Sequence, residues 1–187
     1  MDQRIYVNSV TGDTFRHEAG SPGAVRLRFE IPAGGDGAPP HRHRHLRETF
    51  TVVSGRLQMT TGSASAWRTI LPGETVVVEP GTVHAFRNPH DEPVVFTSEA
   101  APALRFAWFV HAWYGLANEG RSFAGGPPRN PLALAVVLGW ADFWFPVVPI
   151  IVQRGLFGPL RLLARATGVQ ARMERAHIPP ALRGGPS

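Results

Sequence analysis

Four side chains between Gly35 and Asn88 offer the electron pairs that a metal ion would use. They stand in two patterns, Gly35-x5-His41-x-His43-x4-Glu48-x6-Gly55 and Gly73 through Pro80-Gly81-x2-His84-x3-Asn88. In an extended chain, side chains two apart point the same way, so His41 and His43 can aim at a common point. Glu48 opens the next stretch, Gly55 permits a tight turn, and Pro80-Gly81 presents His84 from the opposing strand. Three neutral imidazoles and a carboxylate form a borderline donor set. It suits one divalent Fe, Mn, Ni, Co, Cu or Zn ion, and residue type alone does not choose among these metals. The working hypothesis is that His41, His43, Glu48 and His84 hold one such ion inside a small β-barrel.

Period-two parity extends the site. Phe50 and Val52 share the inward face of Glu48, and Phe86 and Asn88 share that of His84. With Phe29 and Met59 these residues make an apolar wall, suited to an aromatic or polyketide-like molecule more than to a highly charged one. His45 either joins the inward parity of His41 and His43 as an acid/base or alternative ligand, or is an exposed loop histidine. The candidate substrate-binding residues are therefore His45, Phe50, Met59, Phe86 and Asn88. Glu48 is the candidate catalytic group, a proton acceptor if it leaves the metal transiently. The competing reading of His-Arg-His-Arg-His as a solvated basic strip loses ground to Glu48, Gly55, Gly73, His84 and Asn88 at their spacings. His111 and Asp142, lone polar groups in apolar helical stretches, are expected to be satisfied or surface-facing. His17, His90 and His177 receive no role.

These side chains need short strands to carry them. Val25, Leu27, Phe29 and Ile31 alternate with Ala24, Arg26, Arg28 and Glu30, the mark of a half-buried strand. Residues 32–40 read as a loop. Strands are expected over 48–53, 56–61, 67–70, 75–78, 83–87 and 94–98, separated by Ser54-Gly55, Pro72-Gly73, Pro80-Gly81 and Asn88-Pro89. After Pro102 the period changes. Phe106, Phe109, Val110, Trp113, Leu116 and Ala117 fall at helical spacing, with Gly120 as the stop. A Gly/Pro-rich linker follows over 121–130, then an apolar run over 132–152 broken by Pro146 and Pro149, and a last helix expected from Pro159. The chain thus reads as mainly β, a double-stranded barrel over residues 1–100 with a helical extension over 101–187.

The two motifs resemble those of the cupin superfamily. The first matches at every signature position. In the second, Glu79 stands where the family's usual Pro-x-Gly has proline, which touches a turn and no ligand. The resemblance runs from Ala24 to Ser98, about 40% of the chain. It implies a jelly-roll barrel with a metal in its mouth and makes His41, His43, Glu48 and His84 the ligands. Among the chemistries it implies are quercetinase-like dioxygenation, isomerisation, cyclisation and decarboxylation. Pro102-Ala-Leu-Arg-Phe and Asn130-Pro-Leu resemble the helical tail of a common group of single-domain bacterial cupins, for which the resemblance implies no activity. A metal-dependent enzyme is the first expectation; the alternative is a ligand-binding or sensing module with a structural metal.

Composition limits the rest. The 187 residues include no cysteine, which excludes a disulfide framework, a thiolate metal site and a cysteine nucleophile. The start of the chain, Met1 to Tyr6, lacks a charged region followed by an apolar run, so the expected compartment is the cytoplasm. The net charge of +5 lies wholly in residues 129–187, where seven arginines meet only Asp142 and Glu174. Basic residues are not interleaved with aromatics, so no nucleic-acid partner is expected. Trp140, Phe143, Trp144 and Phe145 are too apolar to leave in water. A homodimer interface or a lid over the barrel mouth is the first expectation for them. A peripheral membrane contact through residues 132–175 is the second.

Overall fold

A computed structural model describes residues 4–63 and 65–183 of the chain. Residues 1–3, which bear on the reading of the chain's start, lie outside the described residues. The chain divides into two compact units, one comprising Met1–Val7 and Gly12–Ala103, the other Asn8–Thr11 and Leu104–Ser187.

Among the described residues the first unit has ten strands: β1 (Tyr6–Val7), β2 (Thr14–Glu18), β3 (Val25–Ile31), β4 (Ala38–His43), β5 (Arg47–Ser54), β6 (Leu57–Thr61), β7 (Arg68–Ile70), β8 (Thr75–Val78), β9 (His84–Arg87) and β10 (Val94–Ala101). They form two antiparallel sheets, β1-β2-β3-β10-β5-β8 and β4-β9-β6-β7. This is a double-stranded jelly roll. Strand β10 shows why it holds together: Val94, Phe96, Ser98 and Ala100 are buried while the residues between them are not. Paired on one side with β3 and on the other with β5, β10 turns that buried row toward the space between the sheets. There Phe96 joins Ile31, Phe50, Val52, Leu57, Met59, Ile70, Val76, Val78 and Val94 in one core.

One expectation fails at β4. Pro39 and Pro40 read as loop, yet both lie within the strand. They fall at the register shift between the pairs Ala38↔Phe86 and His41↔His84. A proline has no N–H to offer a ladder, and an irregularity in the pairing is where that loss costs least.

In the second unit, helices run over Phe106–Asn118 (α1), Pro131–Trp140 (α2), Ile150–Ala166 (α3), Val169–His177 (α4) and Pro180–Arg183 (α5). Asn130 caps α2, its Oδ1 accepting from the backbone N–H of Leu132 at 2.8 Å, with Pro131 at the first helical position. Ala112, Leu116, Ala133, Val136, Val137, Trp140, Ala164, Met173 and Ile178 form its core. The last long helix starts after Pro149, not at Pro159, which lies inside α3. Pro149 adopts φ −54° and ψ 137°, an entry conformation, and the buried residues of α3, Gln153 and Ala164, lie on either side of the second proline. Asp142 is not helical; it follows α2 with φ 50° and accepts from Trp144 Nε1 at 2.7 Å. Trp140, Phe143 and Trp144 are buried within the chain itself, and Phe145 is half-buried.

Gly55 closes the β5–β6 turn with φ +73°, and an added Cβ there would collide with the Pro93 carbonyl. A left-handed backbone conformation costs a residue with a side chain about 1–2 kcal/mol before any collision is counted. Gly55→Ala is therefore expected to destabilise the protein by about 2 kcal/mol or more, measurable as a lowered urea midpoint.

Candidate metal centre

His41 and His43 project from β4, Glu48 from β5 and His84 from β9. The register pair His41↔His84 sets two of the imidazoles side by side, with ring centroids 4.1 Å apart. Glu48 comes from the facing sheet. One potential ligand atom from each of the four lies within 4.8 Å of the others. Donors about 2.1 Å from a common ion are about 3–4.2 Å apart, so the cluster matches one ion's coordination shell with a little slack. All four side chains are buried.

Hydrogen bonds fix what each ring presents. His41 Nδ1 lies 2.7 Å from the Pro39 carbonyl and His84 Nδ1 lies 3.1 Å from the Thr82 carbonyl. A carbonyl only accepts, so both Nδ1 atoms carry the proton and donate it, and in the neutral rings Nε2 is left as a lone pair. Yet His84 Nε2 stands 2.9 Å from Glu48 Oε2, and His43 Nε2 stands 3.1 Å from the same oxygen. The His84 lone pair facing a carboxylate at that distance needs a cation between them, whereas a neutral His43 carrying its proton on Nε2 donates directly. A proton answers that need in the metal-free protein, and a metal ion would answer it at every donor at once. The residues fit a metal ion.

The remaining carboxylate oxygen is also held. Ser98 Oγ donates to Glu48 Oε1 at 3.1 Å. Ser98 was missed in the sequence, although its parity with Phe96 and Ala100 on β10 would have found it.

Charge follows from the same contacts. Burial first, then the neighbouring His84 and His43, push the His41 imidazole well below its ordinary value against the pull of Glu48 and the Pro39 carbonyl. Burial alone would raise the Glu48 carboxyl, but His43 and His84 hold it well below the usual carboxylate range by charge and hydrogen bond. The site is thus poised as neutral His41 against ionised Glu48.

Other residues read from the sequence are placed as follows. Phe50 lies 6.1 Å from the His84 ring and 5.6 Å from Phe86, centroid to centroid, so both line the site. Met59 is fully buried in the barrel core and pairs in register with Phe86. His45 is exposed in the turn after β4, away from the inward row. Asn88 braces the backbone. Its amide donates to the carbonyls of Ile31 (3.2 Å), Pro32 (2.9 Å) and Glu92 (2.8 Å), while Oδ1 accepts from His90 N at 3.2 Å. Those bonds use the whole amide on backbone.

Residues 27–98 match the family model for the cupin domain. The matched stretch, a cupin domain, runs from β3 to β10 and holds all four candidate ligands. Among solved structures, it is similar to an uncharacterized conserved protein with a double-stranded β-helix domain from Klebsiella pneumoniae (28% identity, 46% of this chain and 74% of that one, TM-score 0.42). It is also similar to an RmlC-like cupin from Shewanella frigidimarina (17% identity, 54% and 84%, TM-score 0.46). KdgF from a Halomonas species matches at 19% identity over 48% of this chain and 78% of that one, TM-score 0.42. A comparison with curated proteins found no match.

The depressed His41 value has a signed consequence. In the unfolded chain His41 takes up its proton near pH 6.5, whereas the folded imidazole does so only further down. Between those points the unfolded state binds more protons, so the stability of the metal-free protein falls on acidification, by up to about 1.4 kcal/mol per pH unit for this group. Half-buried His177, also depressed, adds a loss of the same sign. Urea midpoints taken from pH 7.5 downward check the slope, and the His41 imidazole resonance should titrate well below pH 6.5.

Proposed function

We propose that the chain is a mononuclear metal-dependent enzyme acting on a small apolar or aromatic molecule. Its cofactor is one divalent Fe, Mn, Ni, Co, Cu or Zn ion held by His41, His43, Glu48 and His84. The observation that carries this reading is the convergence of three imidazole nitrogens and a carboxylate oxygen in one buried cluster. When bound, such an ion supplies Lewis-acid or redox chemistry, the basis for dioxygenase, isomerase or cyclase reactions.

The chain's residues prepare that chemistry. The Pro39 and Thr82 carbonyls hold two imidazoles in the tautomer that turns Nε2 inward. Ser98 holds Glu48 by Oε1, which leaves Oε2, between the His43 and His84 Nε2 atoms, as the oxygen that would take a proton if the carboxylate left the ion. Phe50, Phe86, Phe96 and Phe29 form a run of ring contacts from His84 outward, an apolar wall that excludes water and suits an aromatic substrate.

One observation favours a second reading. Each of the four candidate ligands is 4% exposed or less. A closed site of that kind also suits a structural ion in a protein that binds a small molecule without transforming it.

Elemental analysis of the gently purified protein is expected to find about one transition-metal ion per chain. His84→Ala should remove most of it, and full retention would mean that the ligand set is wrong. Ser98→Ala should keep the ligands but weaken the metal about tenfold to a hundredfold. Water-exchange measurements on the loaded protein separate the two readings: an exchangeable water on the ion marks the enzyme, and its absence marks the binding module.

A further inference from the structure

Helix α3 turns an apolar face outward. Ile151, Val152, Leu156, Leu162 and Leu163 are between 50% and 76% exposed, and Val147, just ahead of the helix, is 88% exposed. At 3.6 residues per turn these positions fall on one side of α3, together with exposed Gly155, Pro159 and Ala166. That side carries no charge. The opposite side holds buried Gln153 and Ala164 and half-buried Arg161, whose guanidinium rests beside Gly139 of α2. Exposed Arg154 and Arg165 line one edge of the apolar face. The helix contains no Asp or Glu along its 17 residues.

We infer that this face lies on an anionic lipid bilayer, with Ile151, Val152, Leu156, Leu162 and Leu163 entering the interface and Arg154 and Arg165 meeting the headgroups. Charge decides between this occupant and a second copy of the chain. A face-to-face copy would bring two arginine edges together with no carboxylate on either helix to separate them. The only acidic residues of the arginine-rich region are engaged elsewhere, Asp142 with Trp144 Nε1 and Glu174 with Arg105 at 3.7 Å. A bilayer rich in anionic lipid supplies both the counter-charge and the apolar medium. Insertion is in the plane of the surface, because among the described residues no helix is long and apolar enough to cross a membrane.

Flotation of the full-length protein with vesicles tests this directly. It is expected to float with equimolar phosphatidylcholine and phosphatidylglycerol, at least about tenfold less with phosphatidylcholine alone, and less again at high salt. Ile151→Gln with Leu162→Gln should abolish flotation on both vesicle types. Arg154→Gln with Arg165→Gln should weaken binding to the anionic vesicles about thirtyfold. All four positions are surface ones, and an unchanged circular dichroism spectrum and urea midpoint will show that each variant still folds. Failure of the wild-type protein to float overturns the inference. So does equal flotation of the glutamine variants, or a wild-type dimer in sedimentation that Ile151→Gln with Leu162→Gln converts to monomer without any vesicle binding.

Discussion

The barrel is built around a contact that cannot stand without a positive charge. Glu48 Oε2 faces two imidazole nitrogens at 2.9 and 3.1 Å, in a space sealed from water. Outside a protein such a group would be hydrated, and burial of an uncompensated carboxylate costs several kcal/mol. The sheets accept that cost by bringing the charge's partners from separate strands to one point. Everything else in the unit either aims those groups or keeps solvent away from them.

Aiming and sealing fall to different elements. Strand β10 does both, since its buried row contributes Phe96 to the core and Ser98 to the carboxylate. Strand β9 sets His84 against His41 and sends Phe86 into the aromatic wall. Asn88, just beyond β9, ties the chain at Ile31-Pro32 and at Glu92 together, so the exit from β9 is fixed from two segments at once. Most of the site's supports are main-chain carbonyls.

Much of this was legible in the sequence because a strand's period is two. Parity alone placed Glu48 with Phe50 and Val52, and His84 with Phe86, and the turn glycines marked where the strands end. What escaped has physical reasons. The Pro39 and Thr82 carbonyls belong to the backbone, which a sequence does not display. Ser98 is a common surface residue whose burial depends on a partner from another strand. Asn88 has the right parity but spends its amide on loops, a choice that only three-dimensional proximity decides. In the helical unit Pro149 and Pro159 are locally alike, and packing, more than propensity, selects which one begins α3. Of the apolar side chains singled out there, Trp140, Phe143 and Trp144 are buried and Phe145 is half-buried, while Ile151, Val152, Leu156, Leu162 and Leu163 of α3 are exposed.

The backbone origin of two of the site's hydrogen bonds bears on how the protein can vary. Any amino acid at positions 39 and 82 presents a carbonyl, so mutation there leaves the His41 and His84 tautomers intact as long as the turns persist. The hold on Glu48 Oε1 is different, because it comes from a side chain, the Ser98 hydroxyl. The support around this cluster therefore offers evolution a wide neutral margin on its histidine side and a single vulnerable codon on its carboxylate side.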